Sequence, residues 1–216
     1  MYINNLITGS LTLGSGGSTP SPYFAYDSNR VITGLYQGSP NVYEEGGWTY
    51  GGADVVENYA TAIGDNAFND HDYDMGDTLF SKAISGNITF QNITSIGDYA
   101  FANCYNLMNI TMLNVTSIGS SAFSNCGGLT NVTMPNLTSI GNYAFMYCYS
   151  LTSMTIPDSV TSIGSRAFYY CDGLTSVTIP DSVTSIEEDA FNCCSCLTSV
   201  TIGSGIQEIG SGVFST

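Results

Sequence analysis

The sequence predicts a mainly β repeat solenoid of the α/β class, in which each repeat forms one coil with a parallel strand and a short helical turn. The first observation is a recurring phrase, IGxxAFxxC, whose isoleucines are separated by 33, 22, 22, 23, 23 and 23 residues. A fixed period in this range is typical of stacked repeats. The second is that apolar and polar residues alternate at the start of each repeat, as expected for a half-buried strand. The motif isoleucines are Ile63, Ile96, Ile118, Ile140, Ile163, Ile186 and Ile209.

Each repeat begins with a strand that has one buried face. Val177 and Ile179 alternate with Ser176 and Thr178, which is the two-residue period of a strand. Pro180 ends the strand because proline has no N–H to donate to a sheet. The repeat period changes from 22 to 23 where MPNL becomes IPDSV, and we expect this surface turn to absorb the added residue.

The second half of each repeat contains another short extended piece and a turn. The letters VTSI predict the extended piece, and EEDAF predicts a single helical turn that is too short to be stable alone. We therefore expect the apolar residues of each coil to point inward, and neighbouring coils to cover its open sides.

Five cysteines lie eight residues after a motif isoleucine: Cys104, Cys126, Cys148, Cys171 and Cys194. The pattern predicts a ladder of small buried side chains, because reduced cysteine is among the most buried residue types. Disulfides or a metal site are the alternatives. Cys193 and Cys196 fall in a connecting loop, where we expect free thiols, with an intermolecular disulfide as the alternative.

The phrase LTSxTIPDSVTSI, followed by AF and a cysteine, resembles the BspA-like leucine-rich repeat family, also called the LRR_5 class. The resemblance extends from about Ile63 to Phe214. It implies a right-handed leucine-rich-repeat coil with a parallel sheet on one side. It also implies a protein that binds other proteins or cell surfaces, and it implies no enzyme.

The chain divides into two parts. Residues 1–54 do not follow the period and are rich in tyrosine and glycine, so we expect a β-rich N-terminal segment that caps the first coil or attaches the protein elsewhere. Residues 55–216 form the predicted solenoid, which has an insertion at 69–82. Acidic residues alternate in this insertion and make it a weak candidate for Ca²⁺ binding, with a solvated acidic loop as the alternative. They are Asp70, Asp72, Asp74 and Asp77.

Charge restricts the classes of partner. The net charge is −15, and only Arg30, Lys82 and Arg166 carry fixed positive charge. Such a chain repels nucleic acids and anionic membrane surfaces, so we expect neither as a partner. It also lacks a stretch of about 18 apolar residues, which argues against membrane insertion. The first residues do not match a secretory signal, so we expect synthesis in the cytosol.

No catalytic group is identifiable in the sequence. The one histidine, His71, lies eight residues after Ile63 and so takes a ladder position. The serines and threonines are repeat positions and lack a partner base. We therefore predict that the protein is not an enzyme and has no cofactor other than the Ca²⁺ considered above.

Two surfaces are candidates for binding. The outward strand residues Ser153, Thr155, Ser176 and Thr178 predict a flat, polar and uncharged face. Tyrosines beside the AFxxC turns predict contact area at the outer edge of the coils, with partial burial between coils as the alternative. The predicted binding residues of this second surface are Tyr147, Tyr169 and Tyr170. The other tyrosines in or beside these turns are Tyr99, Tyr105, Tyr143 and Tyr149.

These features predict a binding or structural protein. The leading hypothesis is a phage virion surface protein, a head decoration or fibre, made in the cytosol and displayed on the particle. The alternative is a BspA-like adhesin of a bacterium or protist, located outside the cell or on its surface. The expected partner is a protein or a cell-surface glycan, and homo-oligomers or virion assembly are further expectations.

Overall fold

The structure is a computed structural model that describes the backbone of residues 7–8, 24–26, 31–35, 55–57, 61–69 and 84–215, and the side chains of 61–69 and 86–215. The regular elements of this described part are strands, and no helix occurs in it. Four strands precede the first motif isoleucine: β1 (Ile7–Thr8), β2 (Phe24–Tyr26), β3 (Val31–Leu35) and β4 (Val55–Glu57).

One sheet is built from the short strands that end at the motif isoleucines. Neighbouring strands pair in parallel with isoleucine beside isoleucine, as for Ile163 and Ile186. At one end β3 pairs with the first of these strands, and β2 pairs antiparallel with β3. The predicted second extended piece of each repeat is therefore confirmed. The short strands are β5 (Ala62–Ile63), β7 (Ser95–Ile96), β9 (Ser117–Ile118), β11 (Ser139–Ile140), β12 (Ser162–Ile163), β14 (Ser185–Ile186) and β16 (Glu208–Ile209).

The longer strands form two further parallel sheets. They are β6 (Ile84–Phe90), β8 (Leu107–Met112), β10 (Asn131–Thr133), β13 (Ser176–Ile179) and β15 (Ser199–Ile202). β6, β8 and β10 pair in that order, and both β1 and β4 pair with β6. β13 pairs only with β15, because the equivalent residues 153–156 of the coil between β10 and β13 do not form a strand.

The turn after each short strand differs from the predicted helical turn. The third residue after each described motif isoleucine has positive φ, and so does the seventh in the five repeats from Ile96 to Ile186, as in Tyr99 (56°) and Asn103 (64°). Left-handed residues interrupt a right-handed helix. The N–H groups of Tyr99, Phe101 and Asn103 instead donate to carbonyls of the next coil at 2.7 to 2.9 Å. The turn thus adds a third line of bonds between coils, and the mainly β fold class is confirmed without helices in the described residues.

The core is a set of ladders that run along the coil axis. The phenylalanines of successive motifs stack with ring centroids 4.9 to 5.6 Å apart, and from Phe101 to Phe214 the interplanar angle is 15° or less. Burial of each ring is worth about 1.5–3 kcal/mol, and stacking adds about 0.5–1.5 kcal/mol. The cysteine ladder is also confirmed, since its five members are at most 2% exposed.

Candidate functional site

A groove of about 820 Å³ lies on the outer face of the longer strands, and we call it the strand-face groove. All four strand residues predicted for the binding surface line it: Ser153, Thr155, Ser176 and Thr178. The other lining residues come from the same two coils and the next one. They are Met154, Ile156, Asp158, Ile179, Pro180, Asp181, Ser182, Thr201 and Gly203.

The groove coincides with the break in the ladder of longer strands. Within described residues 84–215, no hydrogen bond joins the peptide groups of 153–156 to a neighbouring coil. The equivalent strands pair residue by residue elsewhere, as Val177 does with Val200. The break occurs where the repeat period changes from 22 to 23 residues. The added residue was expected to affect only the turn, but the ladder is also lost in the strand that precedes this turn.

The strand-face groove combines the uncharged serines and threonines of the predicted face with acidic residues from the neighbouring turns. Two carboxylates line it, from Asp158 and Asp181. Asp181 Oδ1 accepts hydrogen bonds from the backbone N–H and the hydroxyl of Ser204, at 2.6 and 3.1 Å. Ser182 Oγ is shielded from solvent and has no hydrogen-bond partner among the described residues. The sequence prediction missed both aspartates because they lie in the turn, outside the alternating strand pattern.

Four tyrosines form a second surface, which we call the tyrosine cluster: Tyr147, Tyr149, Tyr169 and Tyr170. Their ring centroids lie 4.8 to 6.0 Å apart, with interplanar angles from 35° to 79°. Tyr149 and Tyr170 are exposed by 49% and 36%, whereas Tyr147 and Tyr169 are half-buried. The structure thus brings the three tyrosines predicted as binding residues together with Tyr149, which the sequence also places beside these turns. Both predicted environments, the exposed edge and partial burial between coils, occur in this cluster.

The tyrosine cluster adjoins the single ion pair found in the described part of the chain. Arg166 donates to Asp189 Oδ2 from Nε at 3.1 Å and from Nη2 at 3.0 Å. Its guanidinium carbon also lies 5.7 Å from the centre of the Tyr169 ring. A hydrogen bond from Asn192 and the contact with Arg166 lower the pKa of Asp189. The positive charge of Arg166 is therefore already paired with Asp189, which reduces its electrostatic attraction for a ligand.

Two phenol groups of the tyrosine cluster resist ionisation, those of Tyr149 and Tyr170. Burial, Tyr147 and the carboxylate of Asp172 raise the pKa of Tyr149. A hydrogen bond with the thiol of Cys193 raises the pKa of Tyr170. Both phenols are thus neutral at ordinary pH, and the charge that acts on Tyr149 is the negative one of Asp172.

The seven cysteines form no disulfide with one another. All seven are free thiols, and Cys196 is exposed while Cys193 is partly buried. Burial raises the pKa of Cys194 to about 12 and that of Cys148 well above its usual range. In residues 61–69 and 84–215, no group of three or more His, Cys, Asp or Glu side chains is placed to hold a metal ion.

The Ca²⁺ candidates Asp70, Asp72, Asp74 and Asp77 lie outside the described residues, as does His71, and the Ca²⁺ site stays a prediction. Within the described part of the chain, no helix has the length and apolar character needed to cross a bilayer.

Residues 67–151 and 138–216 match a family profile described as "BspA type Leucine rich repeat region", in 6 copies. No curated protein matches the sequence at a significant level.

Several solved structures have a similar fold. A leucine-rich repeat protein from Bacteroides ovatus is 28% identical with a TM-score of 0.63, over 73% of this chain and 38% of its own length. The T. pallidum leucine-rich repeat protein is 23% identical with a TM-score of 0.67, over 90% of this chain and 86% of its own. A leucine rich cell surface protein from Faecalibacterium prausnitzii is 26% identical with a TM-score of 0.50, over 85% of this chain and 54% of its own length. The chain therefore covers less than two thirds of the length of the Bacteroides ovatus and Faecalibacterium prausnitzii proteins.

Proposed function

Because this chain belongs to the BspA type leucine-rich repeat family, we propose that it is a cell-surface binding protein that holds a segment of a partner protein in the strand-face groove. Leucine-rich repeat proteins typically bind other proteins and are typically not enzymes. The relative from Faecalibacterium prausnitzii is described as a cell surface protein. These relations support a binding role, and they favour the cell surface as its location.

The observation that carries the proposal is the coincidence of the strand-face groove with the unpaired peptide groups of 153–156. Unpaired N–H and C=O groups at a sheet can bond to an added extended segment, as in other cases of strand addition. The hydroxyls of Thr155 and Thr178 offer further donors and acceptors on the groove wall. An extended peptide therefore finds both backbone and side-chain partners in this groove.

Charge specifies the chemistry of the bound segment. Asp158 and Asp181 line the groove, no basic residue does, and the whole chain carries a net charge of −15. Electrostatic complementarity favours a segment with lysine or arginine side chains, and it speeds association at low ionic strength. We therefore propose an extended basic segment as the occupant.

The virion surface is the other location that the sequence predicted, as a head decoration or fibre. The neighbouring structures are bacterial leucine-rich repeat proteins, which favours the cell surface over the particle. Protease treatment of intact producing cells tests this choice. We expect loss of the chain from intact cells while a cytosolic marker survives, and retention of the chain until lysis would contradict the surface location.

Binding in the groove can be tested with an array of random linear peptides. Ser176→Trp places a large side chain in the groove, whereas Asn131→Trp makes the same change at the equivalent outward position of β10, outside the groove lining. We expect the wild type and Asn131→Trp to retain a common set of basic peptides, and Ser176→Trp to lose it. Equal retention by both variants, or no retention by the wild type, would contradict the proposal.

A further inference from the structure

The seventh residue after the motif isoleucine changes its chemistry along the solenoid. Asn103 and Asn125 hold this left-handed position in two successive coils, with φ of 64° and 60°. Asparagine tolerates this backbone region better than most residues. Their side chains also form a ladder, since Asn125 Nδ2 donates to Asn103 Oδ1 at 3.1 Å. Asparagine thus suits the left-handed backbone, and its side chain also forms a hydrogen bond between coils.

Tyrosine replaces asparagine in the next two coils. Tyr147 and Tyr170 keep the left-handed backbone, with φ of 61° and 57°. A tyrosine side chain is less favourable in this region and cannot continue the amide ladder. The two rings lie 5.5 Å apart instead. A strained position that is held by the less suitable residue is grounds for a functional hypothesis, and it is independent of the strand-face groove.

The shape of the tyrosine cluster indicates what it binds. Tyr147 is tilted by 35° to Tyr149 and by 36° to Tyr170, while Tyr169 stands at 79° to Tyr170. Rings tilted in this way form an uneven aromatic surface instead of one flat platform. Proline rings of a polyproline II helix dock on exposed aromatic side chains, and that helix loses little entropy on binding.

The charges beside the tyrosine cluster define the flanking residues of the ligand. Asp172 lies close enough to Tyr149 to raise the pKa of its phenol, and it accepts one hydrogen bond, from the Ser195 hydroxyl at 3.2 Å. Arg166, the basic residue nearest the rings, is paired with Asp189. A ligand with a positive charge next to its prolines therefore meets a negative neighbour.

From this geometry we infer that the tyrosine cluster is a second binding site, for a proline-rich segment of a partner protein that carries arginine or lysine next to its prolines. The site goes beyond the proposed function, because it uses other residues and another type of ligand than the strand-face groove.

The probe is a fluorescently labelled peptide of about ten prolines that ends in arginine, and the measurement is fluorescence anisotropy with the purified full chain. Tyr149→Ala removes the most exposed ring of the cluster. Tyr105→Ala is the matched control, because Tyr105 takes the equivalent position in an earlier coil and is exposed by 50% against 49% for Tyr149. We expect Tyr149→Ala to weaken binding about tenfold or more, as loss of an aromatic anchor does, and Tyr105→Ala to leave it unchanged.

A second variant separates binding from folding. The double change of Tyr147 and Tyr170 to asparagine restores the residue that earlier coils use, so we expect an unchanged or raised melting temperature together with loss of peptide binding. Equal binding by this variant and the wild type would overturn the inference. Absence of binding by the wild type would also overturn it, as would equal binding of a peptide with glycine in place of proline. Binding of a neutral oligosaccharide in place of the peptide would show that the ligand class is wrong.

Discussion

At the scale of single residues, the cysteine of each repeat does more than fill space. Cys148 Sγ donates to the carbonyl of Phe123 at 3.2 Å, and Cys171 does the same to Phe145 at 3.1 Å. Each thiol thus links its own coil to the carbonyl of the phenylalanine in the preceding coil. An apolar residue of similar size would fill the position but leave out this bond, and a larger one would strain the stacked rings.

Burial predicts that the ladder thiols are unreactive in the folded protein, and a raised pKa adds to this effect for Cys126, Cys148, Cys171 and Cys194. Thiolate is the reactive form, and a raised pKa lowers its fraction at every pH below that value. At about pH 8, iodoacetamide should therefore modify Cys196 quickly in the native state, while the five ladder cysteines react only after unfolding in denaturant. Mass spectrometry of the digested protein measures each site. Fast native modification of Cys148 would show that the coils open more readily than their packing indicates.

At the scale of one coil, the glycine that follows the motif isoleucine lies against the backbone of the preceding coil, as at Gly119, and Glu187 takes this position in one repeat. A Cβ added at Gly119 would lie 2.6 Å from the backbone nitrogen of Asp98 and 2.6 Å from the carbonyl carbon of Gly97. Both atoms belong to the preceding coil, and backbone cannot move aside without separating the two coils. A Cβ added at Gly127, in the same repeat, would meet only the ring of Tyr149 at 3.6 Å, which is ordinary contact.

We therefore expect Gly119→Ala to lower the free energy of unfolding by about 1–3 kcal/mol, the usual cost of an overpacked contact. Gly127→Ala is the control, and we expect its change to stay within about 0.5 kcal/mol. Chemical denaturation followed by circular dichroism measures both. Equal stability of the two variants would mean that the coils can shift apart at little cost at Gly119.

The sequence predicts these coils well and their exceptions poorly. The positions of Phe145 and Cys148 follow from the period alone, because identical coils in identical places must bury identical residues. The left-handed turn was predicted as a helical turn, because AF and its flanking polar residues are compatible with both conformations. The hydrogen bonds between coils select the left-handed one, and they are not visible in the sequence. The period change before Ile163 was visible, but its effect on 153–156 depends on how two coils of different length meet.

At the scale of the whole molecule, the coils are joined unevenly. The sheet of short strands continues without interruption from β5 to β16. The ladder of longer strands stops at β10 and resumes at β13. One side of the solenoid is therefore continuous across the change of period, and the other side is open at the strand-face groove. The turn side is continuous there too, since Phe145 N–H donates to Ala167 O at 2.7 Å.

This uneven joining predicts a specific pattern of amide hydrogen exchange. N–H groups without a hydrogen-bond partner exchange without waiting for the structure to open, so those of 153–156 should exchange almost unprotected. The equivalent segments are 109–111, which pairs with strands on both sides and should be protected, and Asn131–Thr133, which pairs on one side and should be protected in part. Mass spectrometry of peptides that cover the three segments provides the comparison within one sample. If 153–156 exchanged as slowly as the other two, the ladder would be continuous in solution, and the strand-face groove would lose the unpaired peptide groups on which its proposed ligand depends.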